Sequence, residues 1–211
     1  MSELVLRVLT GAVMIMIALL SAAVGGYIFA VLVAAAATGM YYEWIRIVRG
    51  WGISWAVGGF FYCLLPAVAL LWIRERSGTD GLDLLLWVFI VTWSTAIGAY
   101  FAGRRFGKRK LAPSISPNKT VEGLWGGVAA AAVLGGLWVR STGLNPAMYL
   151  LAPIFAVAAQ AGDLFESKMK RQAGVKDSGA WLPGHGGLLD RLDGLVPVVV
   201  LTFGAVVAGL A

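Results

Sequence analysis

The residues of this chain that could do chemistry are concentrated between Gln160 and Gly194. This segment contains five carboxylates and the only histidine of the 211 residues. Because the chain is 59% hydrophobic, these charged groups must lie beside or within apolar helices. An ionisable side chain at membrane depth is costly unless it is paired or faces water, so such residues indicate a functional site. The six residues are Asp163, Glu166, Asp177, His185, Asp190 and Asp193.

Their spacing places several of these residues on common helix faces. Asp163 and Lys170 are seven positions apart with Glu166 three positions after the first, so all three share one stripe of a predicted helix. Asp190 and Asp193 are three positions apart and share a face in the same way. Two carboxylate pairs with a Gly-His-Gly-Gly turn between them are typical of a site for a hard cation and a polyphosphate.

The composition indicates a polytopic membrane protein with a single domain, residues 1–211. Mean hydropathy is +0.81, and the net charge of +6 comes from basic residues in short loops between apolar runs. This distribution argues against nucleic-acid binding. The single Cys63 excludes a disulfide framework and a cysteine-based metal site. Arg7 and the long apolar run after it predict an uncleaved first helix. The motif-bearing half covers about 96–194.

The apolar runs predict an all-α transmembrane bundle of about seven spans. Fourteen Lys and Arg residues fall on one side of this arrangement and three on the other, which predicts a cytoplasmic N-terminus in a multi-pass cell (inner) membrane protein. The loops after the fourth and sixth predicted spans, which contain the candidate site residues, then face the cytoplasm. The predicted spans lie near Val8–Val24, Tyr27–Ile45, Trp55–Ile73, Leu82–Ala102, Leu124–Val139, Ala147–Phe165 and Leu195–Leu210.

Two features outside the main segment bear on the site. Glu43 at the end of the second span, beside Trp44 and Arg46, is predicted to be an interfacial, paired carboxylate, with a catalytic role as the alternative. The loop after the fourth span contains Ser116, Lys119 and Thr120 beside a helix start, and these residues form a candidate phosphate cradle. Small-residue runs such as Ala34–Ala37 suggest close helix contacts, and we expect a homodimer.

The two loops together resemble the phosphatidate cytidylyltransferase (CDP-diacylglycerol synthase) family. The resemblance covers about the C-terminal half of the chain by motif and the rest only by helix pattern. The upstream Gly-Asp-Leu-Phe-Glu and the Lys-Leu-Ala-Pro loop are also similar to the family. Every specified position of its signature is filled, by Ser167, Lys170, Arg171, Lys176, Asp177, Gly179, Leu182, Pro183, His185, Gly186, Gly187, Asp190, Arg191 and Asp193.

The resemblance implies that CTP and phosphatidic acid react to give CDP-diacylglycerol and pyrophosphate, with bilayer lipid as surroundings. Mg²⁺ suits this chemistry as cofactor, with a second cation as an option, and Asp163, Asp190 and Asp193 are the predicted metal ligands. The predicted catalytic residues are Asp163, Lys170, Arg171, His185 and Asp190. The predicted substrate-binding residues are Ser116, Lys119, Thr120, Lys176, Asp177, Gly186, Gly187 and Arg191.

Several roles stay open at this stage. His185 either orients its loop or contacts phosphate or an aspartate, and Asp177 either reads the cytosine amino group or pairs with Lys176. Asp190 and Asp193 could instead form an ion-pair cluster with Arg191. The family usually has an aspartate two residues before the Gly-Ala-Tyr that ends the fourth span. This chain has Ala96 there, which leaves one polar or metal-supporting contact in question.

Three other functions compete with the main one. The chain could be a CTP-dependent enzyme that acts on another membrane lipid, such as an isoprenoid alcohol or an archaeal-type lipid phosphate. It could also be an ion-coupled transporter, although its charges cluster at one side and no inverted repeat is visible. The third alternative is an inactive relative marked by Ala96.

Overall fold

The computed structural model describes residues 3–76, 80–182 and 186–211. Over these residues the chain forms a helical bundle with one small hairpin, so the predicted fold class is confirmed. The helices are α1 (Glu3–Val24), α2 (Gly26–Ile47), α3 (Ile53–Arg74), α4 (Asp80–Phe106), α5 (Val121–Thr142), α6 (Met148–Gln172), α7 (Leu189–Leu192) and α8 (Leu195–Val207). The strands are β1 (Lys110–Ala112) and β2 (Ser116–Thr120).

Five of the described helices, α2 to α6, are long and apolar enough to cross a membrane. Two shorter apolar helices, Val8–Val24 and Leu195–Val207, correspond to the first and last predicted spans. Large hydrophobic side chains such as those of Ile53, Phe101 and Leu150 are exposed on the outside of the bundle. A surface of this kind suits hydrocarbon, and the chain is a multi-pass membrane protein.

Helices α4 and α5 pack closely because small residues face each other. A Cβ at Gly126 would overlap Ala102, and a Cβ at Gly98 would lie 2.6 Å from the Cβ of Ala130. In hydrocarbon, lipid is as apolar as the side chains, so close backbone packing and hydrogen bonds hold helices together rather than the hydrophobic effect. This contact brings the last turn of α4 and the first turn of α5 to the same end of the bundle.

The hairpin between α4 and α5 was not predicted from the sequence. Strands β1 and β2 are antiparallel, with Lys110 opposite Thr120. The Glu122 carboxylate accepts hydrogen bonds from the backbone N–H groups of Lys108 and Arg109, at 3.0 and 3.2 Å. Thr120 is the N-cap of α5, since its Oγ1 accepts from the N–H of Gly123. These bonds fix the hairpin against the start of α5.

At the opposite end of the bundle, the turn between α1 and α2 is closed by glycine and arginine. Gly25 and Gly26 have φ values of 69° and 52°, a region that favours glycine. Arg74, the last residue of α3, donates from Nε to the carbonyl of Ala22 at 2.5 Å and from Nη2 to that of Ala23 at 3.1 Å. It therefore satisfies carbonyl groups that the end of α1 leaves unpaired.

Candidate active site

The polar stripe of α6 has the geometry that its spacing predicts. Ser167 Oγ donates to Asp163 Oδ1 at 3.4 Å, and Lys170 Nζ lies 3.2 Å from Glu166 Oε2. Glu166 is 1% exposed and Lys170 8% exposed, so a charged pair is held inside the bundle near the end of the helix. Burial of this kind is tolerated when the charges are paired.

Lys119 connects the hairpin to this stripe. Its Nζ lies 2.5 Å from Asp163 Oδ2 and donates to Gln160 Oε1 at 3.3 Å. Lys119 is on β2, whereas Gln160 and Asp163 are one turn apart on α6. The loop after α4 and the polar stripe of α6 therefore meet at one place.

Lys170 makes the corresponding connection to the segment after α6. Its Nζ forms ion pairs with both Glu166 and Asp190. The other oxygen of Asp190, Oδ2, accepts from the backbone N–H of Ser178 at 2.9 Å and of Gly187 at 2.8 Å. Burial would raise the pKa of Asp190, but the hydrogen bonds from Lys170 and from these backbone groups hold it below its ordinary value.

Glu43 has a role that the sequence did not indicate. It is completely buried in the bundle, so the predicted interfacial position is wrong, and its partners are hydrogen-bond donors. Its carboxylate accepts from the backbone N–H groups of Leu188 and Leu189 and from the hydroxyl of Ser178. The sequence signal that pointed to Glu43 is the presence of a carboxylate in a predicted apolar span. Its partners lie more than 130 positions away, so spacing could not identify them.

Two polar cavities meet at the α6 stripe, with volumes of about 500 and 340 Å³. Ala96, Gln160 and Asp163 line both of them. The larger cavity is bounded by the start of α5, and the smaller by the segment around α7. The larger is also lined by Tyr100, Arg104, Asn118, Lys119 and Thr120, and the smaller by Lys170, Asp177, Asp190, Arg191 and Asp193.

An apolar groove adjoins the smaller cavity. It is lined by side chains of α2, α3, α4 and α8, including Phe29 and Met40. Thr92, Trp93 and Arg191 line both the groove and the smaller polar cavity. The polar site is therefore next to a surface that suits hydrocarbon.

Some predicted site residues do not line either polar cavity among the residues that the structure describes. Arg171 follows Lys170 by one position, so it points away from the stripe and donates to the carbonyls of Ile115 and Val175. Lys176 is exposed, and Ser116 begins β2. His185 lies outside the described residues.

The two predicted phosphate-binding glycines are used within the protein. Gly186 has a φ of 84°, and its carbonyl accepts from the N–H of Leu182. Gly187 donates its N–H to Asp190 and packs against Ser178 and Glu43. Substrate binding by these glycines remains a prediction.

The oxygen donors around the α6 stripe fit a hard cation. Glu166 Oε1 is buried, and the carboxyl group of Asp193 lies beside it, close enough for a side-chain hydrogen bond. Burial and the nearby Asp163 carboxylate raise the pKa of Asp193 to about 6. No group of three or more His, Cys, Asp or Glu residues in the described ranges is arranged as a complete metal site. Mg²⁺ needs only one or two carboxylates when phosphates complete its coordination.

These features define a membrane-embedded helical protein with a polar, charged site beside an apolar groove. The sequence profile of the cytidylyltransferase family matches residues 49–208. The chain belongs to this family.

Curated relatives carry the name phosphatidate cytidylyltransferase. The protein from Brucella suis biovar 1 (strain 1330) is 47% identical over 171 residues, which cover 78% of this chain and 63% of that protein. The protein from Haemophilus influenzae is 44% identical over 151 residues, covering 66% and 52% of the two chains. That from Bacillus subtilis (strain 168) is 50% identical over 122 residues, covering 56% and 45%. The chain thus spans less than two thirds of the length of these relatives.

Proposed function

We propose that this chain transfers the cytidylyl group of CTP to phosphatidic acid, giving CDP-diacylglycerol and pyrophosphate. One observation carries the proposal: a polar cavity lined by Lys170 and Asp190 shares Arg191 with an apolar groove. A lipid with a phosphate head group needs cationic side chains around its phosphate and an adjoining apolar surface along its acyl chains. Membership of the cytidylyltransferase family and the name of the curated relatives support the same function.

The reaction joins two anionic phosphates. An oxygen of the phosphatidic acid phosphate attacks the α-phosphorus of CTP, and the bond from this phosphorus to the departing pyrophosphate oxygen breaks. The attacking oxygen is already ionised at neutral pH, so the site needs no strong general base. The barrier is electrostatic, because two unit charges about 4 Å apart repel by about 4 kcal/mol at an effective dielectric constant of 20.

The lysines of the site are arranged to lower this repulsion. Lys119 faces the larger cavity and Lys170 the smaller one. We assign the triphosphate to the larger cavity and the lipid phosphate to the smaller one, next to Arg191. Each cation is already held by a carboxylate, so its position is fixed before substrate binds, and little reorganisation is required during the reaction.

Asp163 and Asp193 would hold Mg²⁺ in this proposal, together with phosphate oxygens of the substrates. When bound, the cation would neutralise charge on the attacking and departing oxygens. The position of both carboxylates in the lining of the smaller cavity supports this donor set. Asp190 was also a predicted ligand, but both of its oxygens have protein donors, and we assign it to holding Lys170 and the turn at Gly187.

The orientation of the site is part of the proposal. The excess of Lys and Arg at the end of the bundle that carries the hairpin supports a cytoplasmic site, where CTP is available. In a Cys63→Ala background, a cysteine at Lys108 should react with a membrane-impermeant thiol reagent only in inverted membranes. A cysteine at Gly143 should show the opposite pattern. Labelling of both from the same side would contradict this orientation.

A homodimer is the proposed assembly. Ala34 and Ala35 are exposed on α2, and small residues allow helices of two copies to approach closely. Mass measurement of the protein in a mild detergent should give twice the chain mass. A monomer at all detergent concentrations would overturn this part of the proposal.

The direct test uses the purified 211-residue chain in detergent. Labelled CTP and phosphatidic acid, with Mg²⁺, should yield CDP-diacylglycerol and pyrophosphate, and a chelator should stop the reaction. Parallel reactions contain an isoprenoid alcohol or an archaeal-type lipid phosphate instead of phosphatidic acid. Product from one of these lipids alone would overturn the assigned acceptor, and no product from any lipid would overturn the transferase function of this chain.

A further inference from the structure

We propose that Glu43 is a positioning residue for this reaction: it fixes the described parts of the segment after α6, residues 178–182 and 186–190, without contacting substrate. This inference rests on the proposed function. Glu43 is on α2 and lies outside residues 49–208, the part of the chain that the family profile matches.

The first argument is the set of hydrogen bonds to a carboxylate that is 0% exposed. Oε1 accepts from the N–H of Leu188 at 3.1 Å, and Oε2 accepts from the N–H of Leu189 at 2.8 Å. Ser178 Oγ lies 3.0 Å from the same Oε2. One side chain thus joins both ends of a segment that carries Asp190. Hydrogen bonds to a charged acceptor are stronger than those between neutral groups, so this is a firm attachment.

The second argument is the space around the carboxylate. A Cβ at Gly179 would overlap Glu43 Oε1, and a Cβ at Gly187 would overlap Ser178 Oγ and lie 2.5 Å from Glu43 Oε2. Neither glycine has a positive φ, so the backbone conformation does not require glycine at these positions. Glycine is required instead by the position of the Glu43 carboxylate, which leaves no space for a Cβ at Gly179 or Gly187. Two glycines of the signature segment are therefore explained by a residue on α2.

The third argument is the connection from Glu43 to the site. Ser178 Oγ contacts both Glu43 Oε2 and Asp190 Oδ2, at 3.0 and 2.9 Å. Asp190 in turn forms an ion pair with Lys170, which is also paired with Glu166. A displacement of Ser178 or Leu189 would therefore move the partner of Lys170. Positions of charged groups in a phosphate site strongly affect rate.

The surface of α2 around Glu43 also accommodates this segment. Tyr42 stacks on Trp181 with ring centroids 5.3 Å apart. A Cβ at Gly39 would lie 2.6 Å from a methyl carbon of Leu188. Gly39, Tyr42 and Glu43 are at i, i+3 and i+4, so one face of α2 supports the segment.

The test compares Glu43→Gln, Ser178→Ala and the double variant with the unaltered chain. Gln has the same shape, but its NH₂ group would face a backbone N–H, so one of the two attachments is lost. Glu75→Gln is the matched control, because Glu75 is exposed at the far end of the bundle. Three quantities are measured: thermal unfolding in detergent, amide hydrogen exchange by peptide, and kcat with KM for CTP and phosphatidic acid.

In Glu43→Gln, we expect exchange of the Leu188 and Leu189 amides to rise about tenfold or more, while exchange in α5 stays unchanged. The same variant should lose about tenfold in kcat, with KM for CTP within about twofold of the unaltered value. Ser178→Ala should change both quantities in the same direction but less. The double variant should lose less than the product of the two single losses, since the two side chains act together.

A purely structural role for Glu43 predicts a different result. Exchange would then rise equally in α5 and in the segment after α6, and kcat would fall only in proportion to unfolded protein. Three results would each overturn the inference. They are this pattern, unchanged exchange at Leu188 and Leu189, and an unchanged kcat in a variant with faster exchange. Hydrogen exchange needs no substrate. An inactive unaltered chain would therefore contradict the proposed function and the kcat effect but not the attachment.

Discussion

Lys119 Nζ lies 2.5 Å from Asp163 Oδ2, and this ion pair joins β2 to α6 where the two polar cavities meet. The two residues are 44 positions apart in the sequence, one on the hairpin after α4 and the other near the end of α6. The pair gives Lys119 a fixed position, and within the described ranges Asp163 Oδ1 accepts only from the hydroxyl of Ser167. In the proposed function, Asp163 would therefore hold a lysine and a cation at once.

Asp163→Ala is expected to abolish turnover and leave the protein folded. It removes a proposed cation ligand and releases Lys119, so charge on the reacting phosphates is no longer compensated. Turnover is measured with labelled CTP at saturating Mg²⁺, and folding by thermal unfolding in detergent. The matched control is Asp83→Ala, a carboxylate near the start of α4. Activity of Asp163→Ala near that of the unaltered chain would contradict the assignment.

Lys170→Met is expected to lower stability by about 3 kcal/mol, the typical cost of leaving a buried charge without its partner. Methionine keeps much of the volume, but Glu166 and Asp190 lose their shared cation. The free energy of unfolding is measured by denaturant titration in mixed micelles. Lys168→Met, at an exposed position on the same helix, serves as the control. Equal stabilities of the two variants would show that Lys170 is not needed to compensate these carboxylates.

The helical stripe could be predicted because helix periodicity is local. Asp163 and Lys170 share a face whatever the rest of the fold does, and the structure agrees. The same periodicity should have separated Arg171 from Lys170, since adjacent residues on a helix point about 100° apart. The family signature included both residues, and the resemblance alone could not distinguish a cavity residue from one that binds backbone carbonyls.

The contacts of Glu43 could not be predicted because they are not local, and the hairpin could not be predicted because its strands are too short. Ser178 and Leu189 are 135 and 146 positions from Glu43, and the hydrogen bonds depend on how α2 packs. The strands β1 and β2 have three and five residues and include Pro117. A hydrophobic pattern cannot identify strands that short, and helix periodicity does not indicate that Glu122 binds backbone N–H groups of the hairpin.

Gly126→Leu is expected to destabilise the protein, because even a Cβ at this position would overlap Ala102 of α4. Overpacking of this kind costs about 1–3 kcal/mol, and larger shifts of α4 and α5 would also displace the larger polar cavity. Gly58→Leu is the control, since Gly58 is on α3 with open space around it. Thermal unfolding in detergent is measured for both. A smaller loss in Gly126→Leu than in Gly58→Leu would contradict the close packing of α4 and α5.

Ala96→Asp concerns the position at which the chain differs from the pattern of the family it resembles. Ala96 is exposed and lines both polar cavities, together with Asp163 and Gln160. An aspartate there would add a carboxylate where the two cavities meet. We expect higher activity at low Mg²⁺ and a smaller gain at high Mg²⁺, because an added ligand raises cation affinity while water can fill a vacant Mg²⁺ position.

The competing outcome is that neighbours of Ala96 have adapted to alanine. A new carboxylate close to Asp163 would then be repelled and poorly paired, at a cost in stability. Activity is titrated against Mg²⁺ for both proteins, with Ala96→Asn as a control that adds volume without charge. A gain in Ala96→Asp alone, confined to low Mg²⁺, indicates a cation contact. An unchanged or lower rate at every Mg²⁺ concentration, in a folded variant, shows that the site does not use a carboxylate at this position.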